Sequence, residues 1–66
     1  MRNEALRKEI REIGAHIWEV AECLGVSEMT VQRRLRKDLS EYDMEVFREA
    51  AREASALKLA RGEMRQ

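Results

Sequence analysis

Glycine occurs only at Gly14, Gly25 and Gly62, and proline does not occur at all. Between those glycines, helix formers such as Ala, Leu, Glu, Arg and Met dominate. A chain with so few breakers is restricted to helices joined by short turns, so an all-α fold is expected. Length tightens the constraint. Sixty-six residues make one domain, 1–66, and chains below about 70–80 residues bury little more than they need to offset conformational entropy. The single cysteine, Cys23, excludes an internal disulfide, and with one histidine, His16, it makes a poor zinc site. Good helix packing, aided by dimerisation, is the remaining source of stability.

The first helix is expected to start at Asn3, a good N-cap residue, and to end before Gly14, which suits a left-handed C-terminal cap. Leu6, Ile10 and Ile13 form its apolar stripe. A second helix spans about 18–24, with Val20, Ala21 and Leu24 facing inward and Gly25 ending it. Ser27 is a fitting N-cap for a third helix that runs to about Lys37, with Val31 and Leu35 as its buried pair. The fourth opens at Ser40, with Asp43 three residues on in a near capping box, and meets no breaker before Gly62. Its span of about 41–61 corresponds to roughly 30 Å. Met44, Phe47 and Ala51 make one apolar stripe on it; Val46, Ala50, Ala54 and Leu57 make a second.

Thirteen basic residues balance thirteen acidic ones, so net charge is zero. Its distribution is uneven. From Met29 to Lys37 the chain carries Arg33, Arg34, Arg36 and Lys37 and no acid. Residues 38–66 carry Asp38, Glu41, Asp43, Glu45, Glu49, Glu53 and Glu63 against five bases. One basic patch beside an acidic half is compatible with docking a single face onto phosphate.

Residues 17–36 carry the most information. Ala21 stands where two helices of a hairpin would cross, and a larger side chain would part them. Gly25 begins the tight turn, where a positive φ is cheap only for glycine. Val20, Leu24, Val26 and Val31 fill the wedge between the helices, and Ser27 leaves the first amides of the following helix facing outward. The segment resembles the helix-turn-helix of the phage-repressor and Xre-type regulators, and especially short regulators with a W-E-V-A-E-x-L-G-V-S sequence, here Trp18 to Ser27. The resemblance covers about residues 3–39. It implies a four-helix repressor-like domain with a long C-terminal helix. Arg34 stands where many repressors place Ile or Leu, and Leu35 follows it, so two rolls of the third helix are open.

The resemblance implies that Glu28, Met29, Gln32, Arg33 and Arg36 point outward from a recognition helix in the major groove. Arg33 would read guanine, Gln32 adenine, Met29 a thymine methyl and Glu28 the cytosine amino group. Thr30, Arg34, Arg36 and Lys37 would hold phosphates, which fix register without carrying sequence information. Each has a plainer alternative. Glu28 is a first-turn acid that the helix dipole favours regardless of DNA, and the basic cluster suits a helix C-terminus. Trp18 is expected as a core or rim aromatic, His16 as a surface or capping residue, and Cys23 as an ordinary thiol on the outer side of the second helix.

No catalytic set or cofactor motif is present, and the carboxylates follow the spacing of solvated helix faces. The expected protein is not an enzyme, takes no small-molecule substrate and needs neither cofactor nor metal. No apolar run approaches the roughly 20 residues that span a bilayer, and the polar opening residues do not read as a signal peptide. A cytoplasmic repressor-like regulator of a bacterium, phage or mobile element is therefore expected. Its partners would be double-stranded DNA and a second copy, with the fourth helix (Ala50, Ala51, Ala54, Leu57 and Ala60) joining them. The rival readings are a protein-interaction or antitoxin-like module and an excisionase-like accessory DNA-binding factor.

Overall fold

In a computed structural model, residues 3–62 are described; Glu63, counted above among the acids, lies outside them. Four helices follow in order: α1 (Glu4–Ile13), α2 (Ile17–Leu24), α3 (Glu28–Arg34) and α4 (Glu41–Ala60). Among the described residues all regular structure is helical, as the breaker pattern predicts.

The first two helices end in the same way. Gly14 and Gly25 adopt φ of 105° and 73°. After α1, Gly14 N–H donates to Arg11 O and Ala15 N–H to Ile10 O; after α2, Gly25 N–H donates to Glu22 O and Val26 N–H to Ala21 O. These paired bonds define a Schellman motif at each end, in which the residue after the glycine turns back onto the helix. Ala15 is buried and Val26 packs against the core, so each turn aims the next helix inward. A Cβ placed on Gly25 would meet nothing within 4 Å. Backbone strain alone therefore opposes substitution, and Gly25→Ala should cost about 1 kcal/mol in urea unfolding, Gly25→Asn less. A loss several times larger would reveal a steric conflict that this open space excludes.

The long α4 is the platform on which α1 and α2 pack, and α2 also packs on α3. Ser40 Oγ accepts from Asp43 N–H at 3.0 Å, the expected cap. Phe47, Ala50, Ala51 and Ala54 form one buried line along the helix, which draws from both expected stripes. Met44 and Val46 are half-buried at its edges, and Leu57 lies at the rim with 48% exposure. The alanines of the expected dimer surface are thus mostly internal: Ala50, Ala51 and Ala54 are buried within the subunit, leaving Leu57 and Ala60 exposed. Small side chains there let α1 and α2 approach α4 closely enough to enclose Leu6, Ile10, Val20, Val31 and Leu35.

Two expectations about α3 and α1 are corrected. The third helix ends at Arg34, three residues short of Lys37. Beyond it, i→i+3 bonds from Arg36 to Arg33 and from Lys37 to Arg34 tighten the chain into a turn. The carbonyls of Leu35 and Lys37 accept instead from Asn3 Nδ2, at 2.8 and 2.7 Å. Asn3, with φ 61°, consequently makes no side-chain cap on α1. Its amide closes the far end of α3. Leu35 is fully buried beside Val31 while Arg34 is exposed, which settles the roll of α3.

One carboxylate departs from the solvated faces expected of all of them. Glu19 is 7% exposed; its Oε1 accepts from the His16 backbone N–H at 2.7 Å and from Lys58 Nζ at 3.0 Å. Burial opposes its charge, but the His16 amide and the Lys58 ammonium outweigh that and hold the carboxyl below its ordinary range. The pair ties the start of α2 to the C-terminal part of α4, as Arg48 Nε to Glu9 Oε1 at 3.1 Å ties α1 to the middle of α4. No helix among the described residues is long and apolar enough to cross a membrane.

Candidate nucleic-acid interface

The geometry of α3 follows from its two anchors. At its start Ser27 Oγ accepts from Thr30 N–H at 3.2 Å, and the two hydroxyls lie 2.9 Å apart. Farther along, Val31 and Leu35 are fully buried. With about 100° per residue, their side of the helix faces the core and the opposite side carries Met29 and Arg33. Both are exposed, Met29 at 70%. Glu28 and Arg36 are exposed at the two ends of the segment. Of the predicted outward set, Met29 and Arg33 share the side opposite the core, Glu28 and Arg36 are exposed at the ends, and Gln32 is half-buried.

Gln32 is half-buried on the flank that faces α1, and its Oε1 accepts from Arg7 Nη1 at 3.0 Å. Arg34 and Lys37 occupy the other flank, where they line a groove with Asp38, Leu39, Asp43 and Phe47. Carboxylates beside these two cations weaken the local positive potential. Thr30 is half-buried with its hydroxyl engaged in the Ser27 cap. Arg33 and Arg36 are exposed and belong neither to that groove nor to the Arg7 contact.

Comparison of the chain with protein-family models, with curated proteins and with solved structures finds no match.

Sequence reasoning missed Arg7 and gave Asn3 a different role, the cap of α1. Asn3, just before α1, and Arg7, in its first turn, reach α3 at its end and its middle. Two polar residues four apart beside an apolar stripe were the available signal. Their partner was not legible.

Trp18 is a rim aromatic, 49% exposed, stacked on the His16 ring with centroids 6.3 Å apart and planes 8° from parallel. It shares a depression with Leu57, Lys58 and Arg61 of the distal part of α4. Cys23 is corrected from an outer position to a half-buried one against the core, lining a groove between α2 and α4. Burial, then the carboxylates of Glu53, Glu22 and Glu19, push its thiol up, which favours the unreactive protonated form. No group of three or more His, Cys, Asp or Glu among the described residues is placed to hold a metal ion.

Proposed function

We propose that α2 and α3 form a helix-turn-helix that binds double-stranded DNA in the major groove, in a small cytoplasmic regulator of the repressor kind with no catalytic role. The observation that carries this reading is the two-sidedness of α3. Val31 and Leu35 are sealed into the core while Met29, Arg33 and Arg36 project from the surface. Exposed side chains on a short helix, fixed from behind by packing, are what base reading requires. Arg33 reads guanine, Met29 meets a thymine methyl and Glu28 a cytosine amino group, while Arg36 holds phosphate with Thr30, Arg34 and Lys37 as lesser contributors.

One seven-residue helix makes few base contacts, so the reading includes a homodimer on two half-sites about 34 Å apart. With three of the α4 alanines internal, the surface left for association is the α4 rim around Leu57, continuous with Trp18. Selection from random double-stranded DNA tests these elements together. The selected sites should contain paired half-sites, and log–log salt dependence on them should have a slope of roughly −5 to −7 for a dimer. Arg33→Ala should cost about 1–3 kcal/mol of binding and relax one base pair. No enrichment and a slope near zero would remove the DNA reading.

A protein-interaction module is the second reading. The groove between α2 and α4 favours it, for Leu24, Tyr42, Val46 and Ala50 line it beside Glu45, Glu49 and Glu53. Failure of the selection experiment would leave this reading in place.

A further inference from the structure

Arg7 is unusual among the cations of the described residues. Its Nη1 donates to Gln32 Oε1, but its Nε and Nη2 are buried without a hydrogen-bond partner. Buried donors without acceptors weaken a fold, so stability does not account for an arginine here. What the position provides is its one directed bond. A guanidinium has only N–H donors, and the partner atom of the carboxamide must therefore be its oxygen. The contact turns Oε1 of Gln32 toward Arg7 on α1; the other end of the carboxamide, Nε2, is a donor.

Resting on the DNA-binding reading above, we infer that Arg7 is a positioning residue that makes Gln32 read guanine instead of adenine. Bidentate adenine recognition needs the amide oxygen to accept from N6 while the nitrogen donates to N7. With Oε1 drawn toward Arg7 and one of its lone pairs taken, the two N–H groups of Nε2 are what Gln32 presents to a base. Guanine N7 and O6 are both acceptors and match it; adenine and thymine offer one acceptor each in the major groove; cytosine offers only a donor. The specificity of α3 is thus set in part by α1.

Selection from random double-stranded DNA with wild type, Gln32→Ala and Arg7→Met tests this. The position read by Gln32 is the one whose preference collapses in Gln32→Ala. Wild type should select guanine there, and Arg7→Met should shift the preference to adenine by about fivefold or more in relative affinity. Its thermal midpoint should be unchanged or raised, a combination that a merely structural arginine would not give. Arg7→Lys, which keeps a donor, should retain guanine; Arg7→Leu gives the same readout as methionine if that variant does not fold. Adenine preference in the wild type, or a preference that Arg7→Met does not move, would overturn the inference and leave DNA binding standing. If the wild type enriches no sequence, the DNA reading fails and this inference fails with it.

Discussion

Replacing Leu35 by alanine should lower unfolding free energy by about 2–5 kcal/mol. Leu35 is fully buried beside Val31, just past the last residue of α3 and within the core cluster, so its truncation leaves a cavity there. Total stability for a domain of this size is on the order of 3–10 kcal/mol, so the loss is a large fraction of it. Urea unfolding followed by circular dichroism measures the effect. Arg34→Ala, one residue earlier and exposed, should stay within about 0.5 kcal/mol of wild type. Comparable losses for the two variants would show that α3 packs with a different roll.

Lys58→Met should be destabilising by about 3–5 kcal/mol, because it leaves the Glu19 carboxylate buried without its cation. Side-chain exposure of the pair is 15% for Lys58 and 9% for Glu19, so solvent screens it little. The double change Glu19→Leu with Lys58→Met should recover most of that loss, since apolar groups of similar size tolerate the site. The amide of His16 then loses its acceptor, and a residue of the cost persists. Acidification gives an independent reading. The folded-state carboxyl of Glu19 titrates below its ordinary value, so its contribution is complete above about pH 4.3, where the unfolded chain's glutamates are ionised. It is lost as pH falls from there through the lower folded-state value. Wild type should therefore lose stability over that window, and the double variant should lose less.

The fold was legible because its instructions are local. Gly14 and Gly25 in the left-handed region, Ser27 and Ser40 as caps, and the spacing of Leu6, Ile10, Val31 and Leu35 act over at most a few residues. What eluded sequence reasoning acts over distance. The alanines of α4 announced a small apolar face, and that pattern is the same whether the face meets a second subunit or, as here, α1 and α2. Lys37 is a good helix former, yet Asn3 ends the third helix first. Glu19 stands in α2 among carboxylates with the same spacing; Lys58, 39 residues away, distinguishes it. The candidate site divides in the same way. Met29 and Arg33 follow from helical geometry once Val31 and Leu35 face inward, whereas the orientation of Gln32 depends on an arginine in another helix.

The closure of α3 by Asn3 also bears on how this chain acquires order. Isolated helices shorter than about 12–15 residues do not persist in water, and α3 has seven. Its end is held by an amide that stands 32 and 34 residues away from its two acceptors, so that contact forms only when a loop spanning half the chain has closed. The amides of α3 should then gain protection from hydrogen exchange together with the global fold and not by local winding. The segment proposed to meet DNA is therefore ordered only as far as the whole domain is, and a weakened core anywhere from α1 to α4 will register at α3 as lost occupancy of its binding-competent form.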